Sequence, residues 1–182
     1  MTEPAFPIRD ALVGTIPNLR AFAISLTGDH HRANDLVQET LLKAWANRDR
    51  FEAGTNLKAW LFTILRNTYF SEIRKRRREV QDTDGVAASQ LVSPPEQYGH
   101  LDLNEFRKAL IDLSDDQREA LLLVGAEGFS YEEAAEICGC AVGTVKSRVN
   151  RARGRLAELM SVGDVQDLGP DQTSQAILAR TS

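Results

Sequence analysis

Histidine and cysteine are scarce in this chain of 182 residues. His30, His31 and His100 are too few and too scattered to form a catalytic or metal-binding cluster. Cys138 and Cys140 sit two positions apart at an expected turn, a poor spacing for a structural disulfide. Without neighbouring histidines they do not make a zinc site either, so they read as small thiols packing a turn. There are no paired carboxylates beside a histidine, no Ser/His/Asp pattern and no glycine-rich phosphate loop. The reading is therefore of a protein that is not an enzyme and needs no cofactor or metal. No apolar stretch approaches the roughly 20 residues of a membrane span. The opening Met1-Thr-Glu-Pro has neither the basic nor the apolar region of a leader. A cytoplasmic location with no membrane contact is expected. A period-2 strand pattern is missing throughout, which leaves an all-α fold.

Charge of one sign is missing in two places. Residues 79–100 hold Glu79, Asp82, Asp84 and Glu96 but no lysine or arginine, together with Gly85 and Ser93-Pro-Pro95. Few residues there could enter a core, and Pro94-Pro95 cannot continue a helix. This stretch reads as a flexible acidic linker. The opposite holds from Ala141 to Leu156, where Lys146, Arg148, Arg151, Arg153 and Arg155 occur with no acid, in a chain of net charge -4. An acidic protein that gathers its cations in one short run is aiming that run at phosphates.

Helical periodicity fills the blocks on either side of the linker. In the first, residues 8–78, a short helix is expected at Ile8–Thr15. A second starts at Pro17, which suits a first turn, and stops at Gly28. A third follows from His30 to Asn47, with Ala33, Leu36, Val37, Thr40, Leu41 and Ala44 on one face. After a loop at Phe51–Asn56, a long helix runs from Leu57 to Arg78. In the second block, residues 101–160, Ser114-Asp-Asp-Gln117 and Ser130-Tyr-Glu-Glu133 both fit a capping box. They set helices at 102–112, 115–126, 131–138 and 142–160. A short helix, a tight turn at Gly139 and a basic helix make the sequence form of a helix-turn-helix. The tail, residues 161–182, is polar.

The long helix carries a second nucleic-acid signature. Leu57, Leu61, Ile64, Leu65 and Thr68 point inward, while Trp60, Thr63, Asn67, Ser71 and Arg74 recur as a neighbouring polar stripe. It ends in Arg74-Lys-Arg-Arg-Arg78. An indole, an amide and a basic cluster on one surface suit single-stranded or melting DNA, where bases stack on aromatics and cations hold the backbone.

Four segments together carry a resemblance. They are Asp35-Leu-Val-Gln-Glu-Thr-Leu-Leu-Lys-Ala-Trp45, Asn56-Leu-Lys-Ala-Trp-Leu-Phe-Thr-Ile-Leu-Arg-Asn67, Ser130-Tyr-Glu-Glu-Ala-Ala and Gly143-Thr-Val-Lys-Ser-Arg148. In order and spacing they resemble the extracytoplasmic-function (ECF) sigma factors of bacteria, over residues 8–160. The wording is most similar to the general-stress group of alphaproteobacteria. The resemblance implies a -10 domain (sigma-2) in the first block and a -35 domain (sigma-4) in the second. It implies core RNA polymerase, through its β′ and β subunits, promoter DNA and an anti-sigma factor as partners.

Residue by residue, it implies that Asp35, Gln38, Glu39 and Lys43 dock on the β′ coiled coil. The loop from Phe51 to Asn56 would capture a flipped -10 base, and Trp60, Thr63, Asn67 and Arg74 would line the melted edge. Thr144, Lys146, Ser147, Arg148, Asn150 and Arg151 become the -35 readers, with Arg153 and Arg155 on phosphates. Two other readings use the same motifs. One is a helix-turn-helix regulator, which leaves residues 30–78 without a role. The other is a sigma-like decoy that sequesters an anti-sigma factor, which has no need of two DNA-type surfaces.

Overall fold

The computed structural model describes residues 7–52, 54–82 and 101–160, and every regular element among them is helical. The chain divides into two compact units, Met1–Pro95 and Glu96–Ser182. The first unit holds α1 (Pro7–Thr27), α2 (His30–Ala46), a 3-10 turn (Arg48–Arg50) and α3 (Leu57–Asp82). The second holds α4 (Leu101–Ile111), α5 (Asp115–Gly125), α6 (Tyr131–Cys138) and α7 (Val142–Leu159). Of the expected linker, residues 79–82 are the last turn of α3. Residues 83–100 and the tail from 161 lie outside the described residues.

The expected break before Pro17 does not occur, because α1 runs through it. Proline removes the hydrogen bond to the Val13 carbonyl. Pro17 and Val13 are both exposed, so water can take that carbonyl, while Leu12, Leu19, Phe22, Ala23 and Leu26 stay buried on the other side. Burial of that face outweighs one lost bond. Gly28, at φ +69°, closes the helix, and Asp29 starts the next by accepting from the amides of His31 and Arg32. Those two bonds hold the Asp29 carboxyl below the usual carboxylate range.

In the first unit α1, α2 and α3 all pack on one another. Phe22 and Phe62 meet at 5.0 Å in the centre, both essentially inaccessible. The Tyr69 hydroxyl donates to the Leu26 carbonyl at 3.0 Å, bolting the middle of α3 to the end of α1. Phe62 and Tyr69 belong to the buried set with Leu61, Leu65 and Thr68.

In the second unit α7 is the hub, touching α4, α5 and α6. Ser114 accepts from the Gln117 amide at 3.4 Å, and Ser130 and Glu133 form the full reciprocal box at the start of α6. Gly139 takes φ +64° at the end of α6, a left-handed conformation that a side chain would disfavour. Its turn delivers the chain into α7 within a few residues. Arg118 is buried, and its guanidinium donates to the carbonyls of Leu110, Ile111 and Leu113 at 2.8–2.9 Å. A side chain of α5 thus caps the end of α4.

Candidate polymerase and promoter-DNA interfaces

The exposed face of α2 is less polar than the sequence reading made it. Asp35 and Gln38 are exposed, but between them on the helical wheel lies Leu42, 71% exposed, with Trp45, 47% exposed, one turn on. Asp35, Gln38, Leu42 and Trp45 recur at spacings of three and four, so the signal was present in the sequence. The polar residues alone do not show it, because the apolar Leu42 and Trp45 interrupt them on the same face. Arg48 lies over the Trp45 ring at 5.3 Å and donates to the Trp45 carbonyl, which fixes this end of the patch. Glu39 and Lys43 form an ion pair at 2.6 Å on the flank, and the Lys43 ammonium also reaches the Thr68 hydroxyl of α3 at 3.1 Å. Lys43 therefore braces α2 against α3 as well as bordering the exposed face.

The loop before α3 folds back on the helix it precedes. Phe51 meets Trp60 at 5.3 Å with the rings tilted by 46°, so the indole is half-buried rather than free on the surface. This corrects the expectation of an open indole: the loop supplies it with an aromatic partner. Asn56 accepts from the Ala59 amide at 3.1 Å, which commits its carboxamide oxygen to the helix start. Thr63 is half-buried and donates to the Ala59 carbonyl. Asn67 is exposed, and its carboxamide oxygen is held by Arg66 at 3.3 Å, while Arg66 stacks over Phe70 at 4.8 Å. Arg74 to Arg78 are all exposed on the following turns. Trp60, Thr63, Asn67 and Arg74 thus share one side of α3, although Trp60 and Asn67 arrive already partnered.

Helix α7 sorts its cations by direction. Thr144, Ser147 and Arg151 follow one another along the solvent side, flanked by the exposed Asn150 and Arg155. Lys146 is exposed near the helix start, with its ammonium 5.6 Å from the Tyr131 ring. No side chain caps the start of α7 and no acid lies in its first turn, so its leading amides remain available to an anion. Two arginines of the expected DNA-binding set are less exposed than that reading requires. Arg153 is 9% exposed and falls in the buried stripe with Val149, Ala152 and Leu156, so its stem lies against the domain interior rather than open to solvent. The wholly buried Glu119 of α5 puts an acid in the same interior. Arg148 turns sideways: it donates to the Asp116 carboxylate at 2.9 Å and to the Cys140 sulfur at 3.7 Å. Cys138 and Cys140 are free thiols, the first buried and the second half-buried.

These surfaces coincide with regions of known families. Residues 14–79 match Sigma-70 region 2 and residues 103–156 match Sigma-70 region 4. The chain is 61% identical to the ECF RNA polymerase sigma factor EcfG of Rhodopseudomonas palustris, over 94% of each chain. Among solved structures it is similar to the complex of sigma factor RpoE with the anti-sigma factor NepR from Bartonella quintana. That match has a TM-score of 0.79 and 62% identity, covering 86% of this chain and 98% of that one. The complex of the anti-anti-sigma factor PhyR with NepR, from the same organism, shares the fold alone, at 18% identity and a TM-score of 0.56. With both regions present and a named sigma factor matched nearly end to end, the chain belongs to the ECF RNA polymerase sigma factors.

Proposed function

We propose that this sigma factor works in the cytoplasm, carrying core RNA polymerase to stress-type promoters. In this reading α7 reads the -35 element, while α3 and the Phe51–Asn56 loop take the -10 element and hold it open. The observation that carries the proposal is the charge-free-of-acid stripe of Thr144, Ser147 and Arg151 on a helix whose start is uncapped. Such a helix presents a bidentate guanidinium to base edges and its leading amides to a phosphate. Catalysis of RNA synthesis belongs to the polymerase, and this chain supplies sequence reading and melting.

The α2 face supports docking on core enzyme, with Leu42 and Trp45 as the apolar centre and Asp35 and Gln38 as its rim. Exposed large apolar side chains rimmed by polar ones mark a partner site. The RpoE relative is held by the anti-sigma factor NepR, and we extend a partner of that kind to this chain, competing with polymerase for the same face. The decoy reading is disfavoured by the two DNA-type surfaces, which sequestration of an anti-sigma factor does not require.

The test is transcription in vitro on a library of random -35 and -10 sequences. Core polymerase with this chain should select a defined promoter class, and neither component alone should do so. Duplex binding by the free chain should be weak, since an acidic protein gains counterion release only at its basic patches. Tight specific gel shifts by the free chain, with no transcription added by core enzyme, would instead establish a regulator.

Within that assay Arg151→Ala should relax preference at one or two -35 positions, by about 1–3 kcal/mol. Arg155→Ala, which also gives up the surface ion pair with Glu158 at 3.0 Å, should weaken all sequences evenly. An unchanged sequence profile for Arg151→Ala would remove α7 as the reader.

A further inference from the structure

Arg148 stands in the recognition helix yet is only 22% exposed in its side chain, with both ends of its guanidinium engaged. One nitrogen meets Asp116, in the first turn of α5, and the other meets Cys140, in the turn that enters α7. Asp116 is half-exposed, on the element against which α7 packs. An acid beside a DNA-reading helix repels the phosphates that the helix must approach. The α5 macrodipole accounts for an acid in that turn, but Asp115 already supplies one, and it is Asp116 that reaches across to α7. A half-exposed ion pair adds little to stability, so its value lies in where it holds the guanidinium.

We infer that Asp116 is a positioning residue for promoter recognition: it holds Arg148 sideways, out of base readout, and thereby restricts the set of bases that α7 accepts. A free arginine at that position on the helix would bring a second fork of donors to the groove, and guanine O6 and N7 are its preferred acceptors. Pinned to Asp116, Arg148 instead ties together α5, the Cys140 turn and the second turn of α7. The base-reading residues are then Thr144, Lys146, Ser147, Asn150 and Arg151. Because the carboxylate is neutralised by the same contact, α7 keeps its attraction for the backbone. This inference rests on α7 being the -35 reader.

The experiment is the random-promoter transcription assay with the full chain and core polymerase, read as a base-preference profile. Asp116→Ala should release Arg148 and create a guanine preference of about tenfold at a -35 position that the parent tolerates freely, the ratio one bidentate contact supplies. Arg148→Ala should lower output evenly across promoters without erasing any preference. In the double variant the new guanine preference should be absent. A thermal melt checks that Arg148→Ala folds, and Arg148→Lys, which keeps the stem and charge but not the fork, should give the same even loss. Loss of one base preference in Arg148→Ala would mean that Arg148 reads DNA directly, and the inference fails. It fails equally if Asp116→Ala keeps the parental profile while Arg151→Ala relaxes it. If Arg151→Ala and Lys146→Ala also keep the profile, the -35 reading of α7 fails first and takes the inference with it.

Discussion

Arg118→Ala should cost the second unit about 3 kcal/mol, the scale for removing a buried charged donor from several acceptors at once. The carbonyls of Leu110, Ile111 and Leu113 would each lose their guanidinium partner at the end of α4. For a unit of this size the loss lowers the melting temperature by on the order of 15 °C. The distribution of tryptophan makes the location of the effect readable. Trp45 and Trp60 are the protein's two tryptophans, and both lie in the first unit. Urea unfolding followed by tryptophan fluorescence should therefore be unchanged in the variant, while part of the helical circular dichroism is lost at lower urea. A parental dichroism curve would show that Arg118 does not cap α4 in the way the geometry requires, whereas an equal shift in both signals would show that the two units unfold together.

The second large effect belongs to the aromatic pair at the start of α3. Trp60→Ala should leave core binding intact and reduce open-complex formation by roughly thirtyfold, since base–aromatic stacking is worth about 1–3 kcal/mol. Phe51→Ala should act in the same direction, because the loop ring fixes the indole from one side at 5.3 Å. A template with a pre-melted -10 bubble should rescue both variants, because unpairing, a cost of a few kcal/mol, has been supplied in advance. Permanganate footprinting of thymines on duplex and bubble templates reads the difference. Equal loss on the two templates would place Trp60 in folding rather than melting.

Much of the fold was legible because its signals are local. Ser130 and Glu133, and the glycine after Cys138, fix the bounds of α6 through bonds within a few residues. The inward face of α2 follows from period alone, and Ala33, Leu36, Val37, Thr40 and Ala44 are buried as expected. What was not legible depends on neighbours distant in sequence. Proline at position 17 is a break only if burial elsewhere on the helix cannot outweigh it, and the face formed by Leu12, Leu19 and Phe22 does. Composition finds a run of cations in α7 but not their directions. Arg153 follows Val149 by one helical turn and goes inward with it, and Arg148 is claimed by an aspartate 32 residues away. Arg148 and Arg153 are thus less exposed than the rest of the run, and the exposed face of α2 includes Leu42 and Trp45.

The far half of α3 has a consequence for how the factor responds to its surroundings. Among the residues whose burial is described, Tyr69 is the last of the helix that is buried, and Arg74–Glu79 are exposed. Arginines at 74 and 78 repel across one turn, and the Lys75–Glu79 pair at 3.9 Å offsets little of it. Lys75, Arg76 and Glu79 border a cleft with Arg32 and Asp35 of α2 but stay exposed, and a helical segment of that length with so little buried is marginal by itself. Its order should then follow the ionic atmosphere: salt that screens the repulsion is expected to wind it, and a polyanion laid along it to wind it further. If α3 takes the -10 strand as proposed, its far end acts as a charge-loaded spring held by the buried Tyr69 and stiffened by the phosphates it meets.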